Sequence, residues 1–302
     1  MNNSKSNYAW SNFAKGLTWI LENTISYDKI IGEDHSFSIL LGQSAQKTTG
    51  RNLGGTSKFL LSEDPDRPNM DFTTGSSANP DERNAWGSAY PAHTISSLFA
   101  RVSYDYKARY MFQATVRRDG SSRFGSNNHY AIFPSFSLGW NITEESFLEN
   151  RPSWWNTTKI RYSWGKNGNE NIGDFKYTVG TAAGNNYIFG AGDAAMLTAG
   201  VKASGLANPD LKWEESVQSN IGIDFTFLKS AATFSVDWYE KKTEGMLQEM
   251  PIPSYVGETK PWGNVGKMKN SGWEFDASYR WKVGSDWNFK ATVNASYLKT
   301  NL

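Results

Sequence analysis

The sequence of 302 residues contains no cysteine and only three histidines, His35, His93 and His129. The absence of cysteine excludes disulfide bonds, thiol nucleophiles and thiolate metal sites. The three histidines lie far apart and in no metal-ligand spacing, which argues against a histidine-based metal centre. There is also no G-x-S-x-G motif, and nothing selects a pair of carboxylates for acid–base chemistry. We therefore expect no enzyme activity, no cofactor and no bound metal.

An excess of charge and a long apolar run are also missing. The 31 basic and 30 acidic side chains give a net charge of +1, so the chain as a whole has no strong field to attract nucleic acid or anionic lipid. No run of about 18 apolar residues is present, which excludes a membrane-spanning helix. The first residues lack the apolar stretch of a signal peptide and are interpreted as a loop.

What the sequence has in abundance is aromatic residues, 13 Trp, 14 Tyr and 17 Phe, arranged with a period of two. Such alternation is typical of strands whose two faces meet different environments. In one stretch Trp273, Phe275, Ala277, Tyr279 and Trp281 alternate with Glu274, Asp276, Ser278 and Arg280. The pattern predicts ten strands, over 17–29, 35–49, 94–106, 109–119, 131–143, 158–167, 214–227, 232–244, 268–282 and 287–301.

The predicted strands are long, and their connections alternate in length. Most strands exceed the 9 to 11 residues or so that a tilted strand needs to cross a bilayer. Tight connections are predicted at 30–34, 107–108, 228–231 and 283–286, and long ones at 50–93, 120–130, 168–213 and 245–267. Segment 144–157 falls on the short side, with a short helix candidate over 144–149. Short turns at one rim and long loops at the other are typical of an outer-membrane barrel.

The aromatic residues fit the same architecture. Trp273 and Trp281 share a face and differ in depth by roughly 20 Å for a strand tilted by about 40°, close to the height of a lipid-facing band. Trp281 and Trp287 flank the tight turn at 283–286, where an interfacial girdle belongs. The alternative at this point is an ordinary soluble sandwich with half-buried aromatics.

Counting strands suggests that the chain is a piece of a longer protein. With long loops outside, the first predicted strand starts at the outer rim and the tenth ends there, whereas single-chain bacterial barrels have both termini in the periplasm. Two open sheet edges would also leave unpaired backbone groups in hydrocarbon. We expect residues 1–302 to form one partial barrel domain. We also expect the protein to lie in the outer membrane of a Gram-negative cell.

Five strings in a fixed order narrow the interpretation. They are RRDGSSRFG at 117–125, YAIFPSFSLGW at 130–140, NPDLKWEES at 208–216, NIGIDF at 220–225 and NVGKMKNSGWEF at 264–275. Together they resemble the C-terminal barrel of SusC/RagA-like TonB-dependent outer-membrane transporters, and the similarity extends over most of residues 16–300.

The resemblance implies an all-β fold, a transmembrane antiparallel barrel in which about ten strands belong to a larger 22-stranded one. It implies an N-terminal plug, a TonB box that reaches the TonB–ExbB–ExbD complex, and a signal peptide, none of which is in this sequence. It also implies a SusD-like surface lipoprotein as partner, outer-membrane lipid around the barrel, and a glycan oligosaccharide or a peptide as imported nutrient.

Candidate contact residues for ligand, plug or partner follow from the outer loops. Arg117, Arg118, Asp119 and Arg123 lie at the outer end of a strand and could form bidentate guanidinium bonds, although loop organisation around an arginine explains them as well. Loop aromatics are further candidates, namely Trp86, Tyr90, Tyr187 and Trp262, together with Phe189 and Tyr255. Trp213 at a strand entry is interpreted as an interfacial anchor rather than a sugar-stacking residue.

Three weaker patterns favour ordinary loops. Two oxygen-rich stretches, one with Asp64, Asp66, Asn69 and Asp71 and one over 167–174, lack the spacing of a calcium-binding EF-hand loop. The string GAGDAA at 190–195 matches a dinucleotide fingerprint without the strand–turn–helix context that it needs. The competing hypotheses for the whole chain are a soluble β-rich carbohydrate-binding module and a β-sandwich glycosidase.

Overall fold

The computed structural model describes residues 7–61, 69–190 and 196–302. Asp64, Asp66 and residues 191–195 of the GAGDAA string lie outside these ranges. No helix in the described part of the chain is long and apolar enough to cross a membrane.

Ten long strands dominate the fold, as the alternation predicts. They are β1 (Tyr8–Ile31), β2 (His35–Lys58), β3 (Arg83–Tyr106), β4 (Tyr110–Ser121), β5 (Tyr130–Asn141), β6 (Trp155–Asn169), β11 (Glu214–Phe227), β12 (Ala232–Glu249), β13 (Trp262–Val283) and β14 (Trp287–Asn301). Four short strands lie between β6 and β11, namely β7 (Thr181–Ala183), β8 (Tyr187–Phe189), β9 (Met196–Thr198) and β10 (Val201–Ala203).

The chain divides into two compact units, and β1, β2 and β3 contribute residues to both. The larger unit comprises residues 22–44 and 95–302. Its sheet has the order β1-β2-β3-β4-β5-β6-β11-β12-β13-β14, in which every long strand pairs with its neighbours along the chain once the short strands are set aside. This meander is the topology expected of an outer-membrane barrel wall.

The smaller unit comprises the described residues of 1–21 and 45–94, and so holds the remaining parts of β1, β2 and β3. Thr18 and Thr48 join β1 to β2 through their hydroxyl groups at 3.0 Å, and the Ser88 amide donates to Asn52 Oδ1 at 3.1 Å. Arg83, the first residue of β3, donates to the hydroxyls of Ser57 and Thr73 at 3.2 and 3.1 Å.

One face of the larger sheet carries rows of apolar residues that pair across neighbouring strands and are exposed. Ala277 pairs with Phe234 on one side and Val293 on the other, and Tyr104 pairs with Phe112. Phe112 and Phe289 remain 40% and 41% exposed, so the described residues form no dry centre around them. A continuous apolar face open to its surroundings is what a lipid-facing barrel wall requires.

Several strands are longer than the alternation predicts, and the connections are correspondingly shorter. The predicted loop 50–93 is strand at both of its ends, because β2 continues to Lys58 and β3 begins at Arg83. The predicted loop 245–267 shrinks to 250–261, since β12 and β13 continue past a register shift between Glu244 and Leu247. Glycines in the first case and a bulge in the second interrupt the apolar–polar pattern without ending the pairing.

The long connection predicted at 168–213 contains short strands in its middle. There β7 pairs with β10 and β8 pairs with β9, each antiparallel, so that two short ribbons occupy the loop. Three-residue strands are too short to show a periodic signal, which is why the sequence does not reveal them.

The short-turn rim carries a compact polar cluster. The predicted helix over 144–149 is instead two 3-10 turns, Ile142–Glu144 and Ser146–Leu148, whose Thr143 and Leu148 carbonyl groups accept from the Arg151 guanidinium. Glu145 accepts hydrogen bonds from the Tyr110 hydroxyl and, at 2.9 Å, from Trp140 Nε1. These bonds, together with Arg109 at 3.2 Å, lower the pKa of Glu145.

Candidate functional site

The polar face of the larger sheet carries a network of ions centred on Arg161 of β6. Its guanidinium donates to both carboxylate oxygens of Asp224 in β11, at 2.6 and 2.9 Å, and to Asp237 in β12 at 3.0 Å. The Ser235 hydroxyl donates to Asp224 Oδ1 at 2.7 Å. Bidentate pairing fixes the guanidinium plane, so the network ties three adjacent strands together on the face away from the apolar one.

Carboxylates exceed cations on this part of the polar face. Glu274 and Asp276 of β13 face Asp237 and Ser235 across the pair, and no ion pair joins either to a described residue. The alternation in the sequence places Glu274 and Asp276 on the polar face, and the register adds Asp224 and Asp237 to the same face. The sequence does not reveal the role of Arg161, because Asp224 and Asp237 lie 63 and 76 positions further along the chain and no local pattern indicates these contacts.

The long-loop rim of the larger unit holds the principal buried cluster among the described residues. Its members are Phe124, Phe133, Ile172, Leu211 and Trp213. The Trp213 ring lies 5.2 Å from that of Phe124 and 5.5 Å from that of Phe133, measured between centroids. We call this set the loop core, since it packs the β4–β5 connection, strand β5 and both ends of the β6–β11 connection into one layer at the base of the outer loops.

Polar contacts hold the same connections together. Arg123 donates to Asp174 Oδ1 and to the Glu170 carbonyl, both at 3.3 Å. Asn128 donates to the Asp210 carbonyl at 3.0 Å, and Asn264 donates to the Lys212 carbonyl at 2.7 Å. The second oxygen-rich stretch is thus engaged in loop hydrogen bonds. Within the described ranges, no group of three or more His, Asp or Glu side chains is placed to hold a metal ion.

The interpretation of Trp213 as an interfacial anchor is wrong. The residue is only 6% exposed and lies inside the loop core, with Nε1 buried and without a hydrogen-bond partner among the described residues. The sequence suggests an anchor because Trp213 adjoins the start of β11 at the outer rim, but Phe124 and Phe133 cover it. Phe124 reaches Trp213 from the connection 122–129 and Phe133 from β5, contacts that the local sequence does not show.

The four charged candidates at 117–123 do not form one site. Arg117 pairs with Asp119 at 2.6 Å and donates to the Ser97 hydroxyl at 2.9 Å on the polar face. Arg118 faces the opposite, apolar side, where its guanidinium lies 3.8 Å from the centre of the Tyr130 ring. Arg123 belongs to the loop contacts described above. Successive side chains of a strand point to opposite faces, so Arg117 and Arg118 lie on opposite sides of the sheet.

In the smaller unit, the candidates Trp86 and Tyr90 cover glycines of the adjacent strand. A Cβ atom built on Gly54 would lie 2.5 Å from the Trp86 ring, and one on Gly50 would lie 2.6 Å from the Tyr90 ring. Both aromatics keep an accessible face, with exposures of 40% and 53%. Covering the backbone of these glycines is a structural role. The exposed face of each ring remains accessible to a ligand.

The remaining aromatic candidates of the larger unit differ in accessibility. Tyr187 is 66% exposed and lies 5.0 Å from Phe189 in the β8–β9 ribbon, while Tyr255 is 87% exposed. Trp262 is half-buried against the loop core, and its carbonyl accepts from Asn208 at 2.8 Å. The structure therefore leaves Tyr187, Phe189 and Tyr255 available to an external molecule and gives Trp262 a packing role.

Comparisons with known proteins agree with this architecture. The family description "TonB dependent receptor-like, beta-barrel" matches residues 2–301. TonB-dependent receptor P39 of Formosa agariphila is 33% identical over 281 residues, which make up 91% of this chain and 25% of that protein. TonB-dependent receptor SusC of Bacteroides thetaiotaomicron is 36% identical over 208 residues, 68% of this chain and 20% of that protein. The chain spans about a quarter of the length of these curated relatives.

A solved structure gives the same result. The RagAB peptide importer in its closed-closed state is similar over 99% of this chain and 31% of that chain, with 27% identity and a TM-score of 0.82. TonB-dependent receptors are outer-membrane proteins and not enzymes, so the predicted location and the expectation of a non-enzymatic chain are confirmed. The chain belongs to the TonB-dependent receptor family, of whose outer-membrane β-barrel it forms a ten-stranded part.

Proposed function

We propose that the protein containing this chain imports a nutrient, a glycan oligosaccharide or a peptide, across the outer membrane in a TonB-dependent manner. The observation that carries the proposal is the two-faced ten-stranded wall, with its ion network on the interior face and a packed loop layer at one rim. Similarity to SusC and to RagAB, which is named a peptide importer, supports import as the function.

The proposed division of labour follows from the family. Residues 1–302 supply barrel wall and outer loops, while a plug and a TonB box elsewhere in the protein supply the gate and the link to TonB–ExbB–ExbD. A SusD-like surface lipoprotein is the proposed partner at the loop rim. On the chain itself, Tyr187, Phe189 and Tyr255 are the proposed contacts for ligand or partner, because they are exposed and extend from loops anchored at the loop core.

Uptake by intact cells tests the proposal. We expect deletion of the gene to abolish uptake of one class of labelled oligosaccharide or peptide, and deletion of tonB to have the same effect. Uptake that persists without TonB would contradict the proposal. Loss of peptide uptake with unchanged oligosaccharide uptake, or the reverse, would identify the substrate class.

A matched pair of variants tests the outer aromatics. Tyr187→Ala should weaken apparent affinity by about 2- to 10-fold, the range expected for one aromatic contact. Phe147→Ala is the control, since Phe147 is 68% exposed but lies at the short-turn rim. Equal effects of the two substitutions would remove Tyr187 from the proposed contact set.

A further inference from the structure

A cluster of lysines lies on the apolar face of the larger sheet, at the end that leads to the long loops. Trp238, Trp273 and Tyr297 form one row across β12, β13 and β14. Beyond that row on the same face, Lys242 pairs with Lys269, Glu244 pairs with Lys267, and Ser271 pairs with Lys299. We call Lys242, Lys267, Lys269 and Lys299 the rim lysines.

The depth of the rim lysines places them just outside the hydrocarbon. Lys269 is twelve residues from Trp281, the aromatic at the opposite end of β13, which corresponds to roughly 30 Å along the membrane normal for a strand tilted by about 40°. The lipid-facing apolar band of such barrels is about 25 Å tall. The rim lysines therefore lie at the level of lipid headgroups, which long lysine stems can reach from the edge of the apolar band.

Acidic neighbours neutralise only part of this charge. Glu240 binds both Lys242, at 3.0 Å, and Lys269, at 2.8 Å. Lys267 and Lys299 form no ion pair with any residue that the structure describes. With Glu240 and Glu244 as the acidic members, four lysines leave a net positive charge of two on this outward patch. A lipid-facing position selects a partner in the membrane rather than a dissolved one.

We propose that the rim lysines bind the phosphate groups of lipid in the outer leaflet, with Lys267 and Lys299 as the two cations free to do so. The apolar row of Trp238, Trp273 and Tyr297 would contact the acyl chains below the headgroup. Charge complementarity and depth both point to an anionic headgroup, since a neutral one offers no partner for two unpaired ammonium groups.

Titration of the purified full-length protein in a nonionic detergent tests the proposal. Lipid A that carries its phosphates and lipid A from which they have been removed serve as the two probes. The double variant Lys267→Gln, Lys299→Gln should bind phosphorylated lipid A about 25-fold more weakly at low salt, since one cation near an anionic surface contributes about fivefold. The corresponding double Arg variant should retain binding.

Lys241→Gln is the matched control, because Lys241 is also exposed but faces the interior, opposite Gln218 and Asn270. It should bind lipid A as the unchanged protein does. Heat-modifiable migration in gel electrophoresis shows that each variant is folded. Equal binding of both lipid A forms, or equal loss in the control, would overturn the proposal. Displacement of lipid A by millimolar inorganic phosphate would assign the site to free phosphate and overturn it too.

Discussion

At the scale of single residues, Trp213 determines how the outer loops are held. Trp213→Ala should cost about 3 to 5 kcal/mol of local stability, the usual range for removing a buried Trp or Phe side chain. The loss should appear as faster hydrogen exchange in the loops around Phe124 and Ile172, with strands β13 and β14 unchanged. Trp213→Phe should have a smaller effect. Uniformly faster exchange over the whole sheet would show that Trp213 is not specific to the loop layer.

Ala277 and Ser278 report which face meets lipid. Ala277 lies midway between Trp273 and Trp281, and Ala277→Arg should destabilise the folded barrel by about 2 to 4 kcal/mol at the membrane midplane. Ser278 faces the interior, where its hydroxyl lies 2.8 Å from that of Thr233, and Ser278→Arg should cost less. Urea unfolding of the full-length protein in lipid measures both. Equal costs would contradict the assignment of faces.

Gly42 shows why some glycines of the sheet cannot be replaced. A Cβ atom at Gly42 would lie 2.2 Å from the Phe99 ring, which covers the bare backbone of β2. Gly42→Ala should therefore destabilise the barrel by about 1 to 3 kcal/mol through overpacking. In the background of Phe99→Ala the same change should cost much less, because no ring must move. A double-mutant cycle measures this coupling, and additive costs would disprove the contact.

The sequence predicts such residues unevenly. The alternation assigns Ala277 and Ser278 to their faces, because successive side chains of a strand point to opposite sides of the sheet. It does not reveal that Phe99 covers Gly42 or that Arg161 joins Asp224 to Asp237, since these contacts depend on strand register. Register follows from the pairing of whole strands, which a local pattern does not encode.

At the scale of structural elements, the segment between β5 and β6 should respond to acid through Glu145. Hydrogen bonds from Tyr110 and Trp140 lower the pKa of Glu145 from its ordinary value of 4.5. A carboxyl group whose pKa is lower in the folded state stabilises it above the ordinary pKa, and this contribution is lost as the pH falls through the lowered value. We expect lower protection against hydrogen exchange at 142–154, after correction for the pH dependence of intrinsic exchange, below about pH 4.5.

Glu145→Gln supplies the control for that experiment. The variant should show faster exchange at neutral pH and a smaller further change in acid, because its side chain does not titrate. Acid sensitivity of the same size in the variant would show that another group is responsible.

The ten long strands were predictable in number and order because each carries a full apolar face. The ends of β2, β12 and β13 were not, since glycines in β2 and a register shift between Glu244 and Leu247 interrupt the alternation without ending the strands. The short pairs β7–β10 and β8–β9 were not predictable either. In the first pair, β7 meets β10 only after the chain has turned back on itself.

At the scale of the whole molecule, the family assignment predicts a protein that requires an amphiphile to stay in solution. The full-length product should partition with the detergent phase and should migrate differently in gels before and after boiling, because a closed barrel resists unfolding by detergent. Partition into the aqueous phase without detergent would contradict the membrane assignment.

The overall balance of charge, +1, conceals a local imbalance. The absence of a strong net field argues against nucleic acid as a partner class, but it does not describe the rim lysines, which are distributed over β12, β13 and β14. Net charge sums over both faces and both rims, whereas a lipid headgroup meets one rim of one face.

The loop core has a consequence for how such receptors diversify. Because it fixes the roots of the outer connections, the two ribbons above it can lengthen, shorten or change composition while the wall below keeps its register. Variation in the two ribbons therefore requires no compensating change in the membrane-embedded strands.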